Sequence, residues 1–295
     1  MSNHNVPRVS MFLHPVVKFA AVFGLVLSVA SGCTTATSLD PVGAIAPVAV
    51  TEKSAAIVVD GSTGAVLYQA GADLPRIPAS LTKMMTLYLT FEALQSGRIS
   101  KDTQIPISAH AASQAPSKLG LKPGRSIDVD TAIKALVVKS ANDIAVALAE
   151  YLGGTEEQFA AQMTTKGRAL GMRGTVFHNA SGLPDPQQIT TARDMALLGL
   201  SLRKHYPQQY YYFVTQDFMF DGKVIHGHNR VLAQLNGADG IKTGYVRASG
   251  FNIVTSINDN GRQLVAVVMG GETAKLRDAQ VVSLVNAYLP QVAQK

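Results

Sequence analysis

A single cysteine, Cys33, occurs in the whole chain, so no intramolecular disulfide can brace the fold and stability has to come from a core. Long blocks of one charge are also missing. The 26 Lys and Arg residues against 20 Asp and Glu leave a net charge of +6. No run of lysines or arginines gathers it, which argues against a nucleic-acid surface. No internal repeat or low-complexity domain is present. The apolar run Phe19 to Gly32 is shorter than the roughly 20 residues a transmembrane helix needs. Between Glu157 and Glu272 there is no glutamate at all.

What is present begins with an export pattern. Residues 1–18 carry Arg8 and Lys18 and no acid, and small residues follow the short apolar run, as in a secretory signal. Ala30-Ser31-Gly32-Cys33 resembles a bacterial lipobox, with Ala30 where a larger aliphatic residue is usual. Residues 1–33 are therefore expected to be a signal ending at a lipidated Cys33; ordinary cleavage near Ala30 is the competing reading. Thr34 to Val50, small and proline-containing, reads as a linker. Residues 51–289 are expected to form one domain, with 290–295 a tail.

Within that domain, two β-rich runs, Ala55 to Asp60 and Ala65 to Ala70, flank Gly61-Ser62-Thr63-Gly64 and predict a hairpin. Helical patterns are expected from Ser80 to about Gln95, from Asp130 to Val138, over Asn142 to Leu152 and Glu156 to Leu170, over Thr191 to His205, and over Leu276 to Leu289. Gly97 marks the stop of the first. Tyr210 to Phe220, Gly240 to Thr243, Gly250 to Ile257 and Arg262 to Met269 read as strands, the three tyrosines as sheet residues. Strands at both ends with helices between imply an α/β (α+β) fold: one antiparallel sheet covered by helices, with a mostly helical insertion.

Pro78-Ala79-Ser80-Leu81-Thr82-Lys83 opens the first helical run. Residues three apart on a helix share a face, so the Ser80 hydroxyl and Lys83 amine can meet. A serine becomes a nucleophile when a base takes its proton, and a lysine becomes that base when burial or a nearby cation lowers its pKa. Ser-x-x-Lys alone is common, and Ser80 as a helix cap with Lys83 in solvent is the bland reading. Ser140-Ala141-Asn142 ahead of a helical pattern and Lys242-Thr243-Gly244 in a strand context complete a trio that points to a serine acyl-transfer enzyme.

These residues resemble the low-molecular-mass penicillin-binding proteins, the serine-type D-alanyl-D-alanine carboxypeptidases of peptidase family S11, of the penicillin-binding protein 5/6 kind. The likeness extends to Met84-Met85, Asp143, Thr191-Ala192-Arg193-Asp194-Met195-Ala196, Gly240-Ile241 and Arg277-Asp278-Ala279. It implies a β-lactamase/transpeptidase-like fold with the site at the edge strand bearing Lys242, and no cofactor or metal. It further implies acylation of Ser80 by the peptidoglycan stem pentapeptide, release of the terminal D-Ala, and covalent inhibition by β-lactams. Lys83 would be the base, with Ser140 and Lys242 in a proton-relay and electrostatic network. Asn142 would position the peptide, Lys242 and Thr243 would bind the terminal carboxylate, and the backbone N–H groups of Ser80 and Tyr245, after Gly244, would face the oxyanion.

The chain departs from that pattern in places. Ser181 stands where many members have histidine, Tyr245 follows Lys-Thr-Gly where histidine is frequent, and His228-Asn229-Arg230-Val231-Leu232 only loosely matches an Asn-x-Asn-Leu-Leu segment. The second, all-β domain and C-terminal anchor of many relatives are not expected. A class A β-lactamase shares the trio but needs a loop glutamate; Met172 to Ile189 offers only Asp185 as an acid, between two prolines in a turn expected to face solvent. A transpeptidase is chemically adjacent. A non-catalytic, peptidoglycan-binding lipoprotein is a third reading, against which every motif side chain is intact. His226 and His228 would share a strand face but lack a third ligand, and Arg247 is placed to meet either substrate or solvent.

Overall fold

The computed structural model describes residues 50–294; the expected signal, Cys33 and nearly all of the expected linker lie outside the described residues. The first strands are β1 (Ala55–Asp60) and β2 (Val66–Ala70). Asp60 Oδ1 accepts from the N–H groups of Ser62 and Thr63, which closes their turn. Near the chain's end, β7 (Ala238–Val246), β8 (Gly250–Asp259) and β9 (Arg262–Gly271) follow one another. Together they form one antiparallel sheet in the order β2-β1-β9-β8-β7. The strand bearing Lys242 is thus an edge, as expected.

The central strands are buried on both faces, which explains the apolar runs of β1 and β9. Val265, Val267 and Met269 of β9 point into one core cluster; Leu264, Ala266 and Val268 point into the other, following the period of two. One face is covered by α7 (Ala274–Tyr288) through Val281, Leu284 and Val285. Val292, in the segment read as a tail, is buried in the same cluster. The other face carries α1 (Lys83–Gln95) and α6 (Ala192–His205). Every residue of α1 from Lys83 to Phe91 is buried, as befits a helix apolar all round.

Between the sheet's two halves of sequence lies the helical insertion. It holds β3 (Gln104–Pro106), α2 (Ala109–Ser113), β4 (Ser126–Asp128), α3 (Val129–Lys134), α4 (Asn142–Gly153) and α5 (Glu156–Ala169). The pairing of β3 with β4 has no counterpart in the sequence reading, because three-residue strands are too short to show alternation. The helix read from Asp130 begins at Val129, since Asp128 rather than Asp130 accepts from Thr131 N and caps it. The chain then returns to the sheet by way of β5 (Asp217–Phe220) and β6 (Lys223–His226).

Tyr210, Tyr211 and Tyr212 are not sheet residues. They lie in a 3-10 turn, Tyr210–Val214, in which each meets a partner of its own. Tyr210 hydrogen-bonds Ser256 Oγ at 2.8 Å, Tyr212 stacks on Phe91 at 6.1 Å, and Lys101 donates to the exposed Tyr211 hydroxyl at 3.0 Å. A strand would send successive side chains to only two faces.

Candidate active site

Ser80 lies not in α1 but in a 3-10 turn, Ala79–Thr82, that feeds it. The turn is pressed against β7. A Cβ on Gly244 would stand 3.0 Å from Ser80 N and 3.2 Å from the Pro78 carbonyl, so any side chain there would press the edge strand away from the turn. From the other side, a Cβ on Gly182 would meet the Ala79 carbonyl at 1.9 Å, and its φ of +84° is itself a glycine conformation. Asn252, a polar residue on an apolar strand, holds the approach to the turn by donating to the carbonyls of Ile77 and Pro78 at 3.0 and 3.1 Å.

Lys83, at the first position of α1, is fully buried. Its Nζ lies 3.1 Å from Ser80 Oγ, 2.7 Å from Asn142 Oδ1 and 2.5 Å from the Ser181 carbonyl. Burial first, and then the charge of Lys242, push the amine well below the ordinary lysine range, with Asp143 opposing. Ser140, in the left-handed conformation (φ 58°), ends the π-helical turn Ala135–Lys139. Lys242 Nζ donates to its Oγ at 3.0 Å and to the Thr243 carbonyl at 2.9 Å. Burial and the Arg277 charge lower Lys242 to about 7. Two serines therefore face the same space, each with a buried amine behind it.

That space is a cavity of about 440 Å³, whose walls include Ser80, Ser140, Asn142, Thr243, Gly244 and Tyr245. The two lysines are not on its surface. Arg230 and Arg277 add positive charge to the wall. The Tyr245 ring, 52% exposed, stacks on Phe251 with centroids 4.2 Å apart. Asn142 is engaged at both ends of its amide, since Nδ2 donates to the Ala115 carbonyl at 2.8 Å. The side chain that the resemblance assigned to the peptide thus holds Lys83 in this structure.

Other sequence candidates go elsewhere. Asp185 is half-buried rather than fully exposed, accepts from Gln187 N at 2.8 Å, and is not part of the cavity wall. Arg247 is exposed and likewise off the wall. His226 ends β6 and pairs with Asp217 at 2.7 Å, while His228 lies beyond the strand, in the cavity wall. Among the described residues no three His, Cys, Asp or Glu side chains gather as metal ligands would. The Thr191–Ala196 stretch is structural: Thr191 caps α6, and Asp194 accepts from Gly174 N at 2.9 Å.

Sequence reasoning assigned no role to three parts of the site. The Ser181 contribution is a carbonyl, which no side-chain motif announces. Asp143 accepts from the N–H groups of Leu119 and Gly120, and so fixes the loop beside Asn142. Arg277 donates to the Asn252 carbonyl at 2.8 Å and pairs with Asp278 at 2.7 Å.

A nucleophile candidate beside a buried amine, held between Gly244 of the edge strand and the Gly182 loop, is an arrangement that suits acyl transfer to serine on an α/β scaffold. Comparison with known proteins gives the particular family. Residues 43–273 match the model of peptidase family S11, D-alanyl-D-alanine carboxypeptidase, and the chain belongs to that family. It is 34% identical over 244 residues to the D-alanyl-D-alanine carboxypeptidase DacF of Bacillus subtilis, covering 81% of this chain and 63% of that one. The crystal structure of penicillin binding protein 5 from Haemophilus influenzae superposes with a TM-score of 0.78 at 32% identity, covering 84% of this chain and 73% of that one. Penicillin-binding protein D2 from Listeria monocytogenes, solved in its ampicillin-bound form, gives 0.71 at 27% identity, covering 82% and 98%. The chain spans about three fifths of the length of the curated relatives it matches.

Proposed function

We propose that this chain is a serine D-Ala-D-Ala carboxypeptidase that removes the terminal D-Ala from peptidoglycan stem pentapeptides through an acyl-enzyme on Ser80. The observation that carries the reading is the buried Lys83 amine 3.1 Å from Ser80 Oγ. Two carbonyl-type acceptors, Asn142 Oδ1 and Ser181 O, take the N–H bonds of the neutral amine and leave its lone pair for the serine proton. As Oγ attacks the penultimate D-Ala carbonyl, that proton passes to Lys83, and the negative oxygen faces the N–H groups of Ser80 and Tyr245. The scissile C–N bond then breaks, and the departing D-Ala nitrogen takes a proton through Ser140, which Lys242 supports at 3.0 Å. Water, deprotonated by the reset Lys83, cleaves the ester and frees the tetrapeptide.

Direction comes from charge. Lys242 behind Ser140, Thr243 on the wall and the two wall arginines suit a free terminal carboxylate. The same serine is the expected target of β-lactams, whose strained amide presents a carbonyl and a carboxylate in the same relation. The family and the ampicillin-bound structural neighbour support this. A β-lactamase reading is not favoured, since Asp185 is off the cavity wall and no glutamate lines it. We further propose export by residues 1–33 and a membrane tether through Cys33, which the short apolar run and the lipobox-like Ala30-Ser31-Gly32-Cys33 support.

Mass spectrometry after incubation with penicillin tests the core of it. The expected result is one adduct on Ser80, together with D-Ala release from a pentapeptide. An adduct that persists in Ser80→Ala would sink the assignment. For location, Cys33→Ala should move the protein from the membrane to the soluble fraction; unchanged membrane retention speaks for an uncleaved signal anchor.

A further inference from the structure

Behind the bond between Lys83 and Ser181 stands a carboxylate that the reaction above does not use. Glu156, the first residue of α5, is 8% exposed. Its Oε1 accepts from Ala180 N at 3.0 Å, and its Oε2 lies 2.9 Å from His110 Nε2. The Ala180 carbonyl in turn accepts from Thr86 Oγ1 at 2.7 Å, and the next carbonyl, of Ser181, is the one that accepts from Lys83 Nζ at 2.5 Å. The other end of the bridge belongs to α2. Just after it come Ala115 and Ser117, whose carbonyls accept from Nδ2 and N of Asn142 at 2.8 and 2.7 Å. Glu156 thus joins the two segments that grip Lys83 and its partner Asn142.

We propose that Glu156, braced by His110, is a positioning residue for Lys83: by holding Ala180 N it seats the Ser181 carbonyl against Nζ and so aims the amine's lone pair at Ser80. A neutral amine has two N–H bonds and one lone pair. With both N–H bonds committed, the lone pair has one direction left; with the Ser181 carbonyl adrift, the amine rotates and the pair is spread over other directions. Glu156 does not line the cavity and touches no substrate, so it acts only through the loop. A neutral acceptor is enough for Ala180 N, which makes glutamine the conservative replacement. Besides Glu156, the groups facing His110 are Glu150 and Glu157; those facing Lys83 are Lys242 and Asp143.

The proposal rests on the acyl-enzyme reading of Ser80, and its test separates the two. The second-order rate of penicillin acylation is measured against pH for wild type, Glu156→Ala, Glu156→Gln and His110→Ala. Glu156→Ala should lose about tenfold to a hundredfold in rate, as loss of an outer support does elsewhere. Its acid limb should move to lower pH, because the Ser181 carbonyl favours the ammonium form. Glu156→Gln should recover the rate to within about threefold and return the limb. His110→Ala, at a half-exposed ring whose removal leaves the core intact, should fall by about threefold with a limb moved the same way. Variants that melt lower but keep the wild-type rate and acid limb below their melting temperature would overturn the proposal. Should Glu156→Ala not fold, a His110→Ala profile identical to wild type overturns it instead. A wild-type protein that forms no Ser80 adduct would refute the acyl-enzyme reading itself.

Discussion

Lys83 Nζ donates to Asn142 Oδ1 across 2.7 Å, between the first turn of one helix and the first turn of another 59 residues away. The contact leaves the amine beside a neutral acceptor, so nothing in it forces the charged state. Replacing Asn142 with aspartate would put a carboxylate there and raise the Lys83 pKa. The expected outcome is an acid limb of the acylation profile moved to higher pH, with the rate at pH 7 down by about one to two powers of ten. A limb that stays in place would show that Asn142 does not govern the base.

Lys242 gives the opposite limb. Burial and Arg277 bring it to about 7, and it must carry charge to attract a carboxylate. As pH rises through that value in the free protein the ammonium is lost, so kcat/KM for the pentapeptide should fall on the alkaline side. Bound carboxylate favours the charged form, so the corresponding limb in kcat should lie higher. Stopped assays from pH 6 to 10 read both. Identical alkaline limbs in the two parameters would remove Lys242 from substrate binding.

A third outcome concerns the substrate's terminus. Amidating the terminal D-Ala removes the charge that Lys242 and Thr243 would read, and should cost about 2–5 kcal/mol in kcat/KM. Turnover of acid and amide at equal rates would identify an endopeptidase.

Lifetime of the β-lactam adduct is the fourth. With a peptide the acyl-enzyme sheds a free amine and water follows; with penicillin the amine stays tethered and obstructs that approach. Asp185 is off the cavity wall, no glutamate lines it, and Asp278, which does, is paired with Arg277 at 2.7 Å, so no free carboxylate is placed to take a proton from water. Adducts lasting minutes are expected, by intact mass against time. Steady hydrolysis of a chromogenic cephalosporin at about ten per second, an ordinary enzyme rate, would point to a β-lactamase.

Gly182 offers a steric test. An alanine there adds a carbon 1.9 Å from the Ala79 carbonyl at a φ of +84°, so the loop must shift. Gly182→Ala should lower stability by about 1–3 kcal/mol in urea unfolding, and slow acylation because the displaced loop carries the Ser181 carbonyl. Wild-type values for both would mean that the loop is not packed on the Ser80 turn.

Much of this protein was readable along the chain. The hairpin at Gly61–Gly64, the buried helix after Ser80 and the long strands β8 and β9 follow from period and turn chemistry, which are local. So does the trio of motifs, since each is a short string whose chemistry lies in its own side chains. The first helix was read three residues early, at Ser80 rather than Lys83, because the backbone of Ala79 to Thr82 is set by the edge strand and the Gly182 loop, not by its composition. The tyrosines were read as a strand because β propensity is a weak preference, and three separate partners decided otherwise. Only the tertiary structure could bring a backbone carbonyl from residue 181 to the Lys83 amine, commit both ends of Asn142, or place Glu156 behind them. Main-chain groups are the same at every residue, so their use in a site depends on where the chain is folded. Sequence by itself determined which side chains hold the chemistry; burial and the convergence of distant loops determined their charge states and their aim.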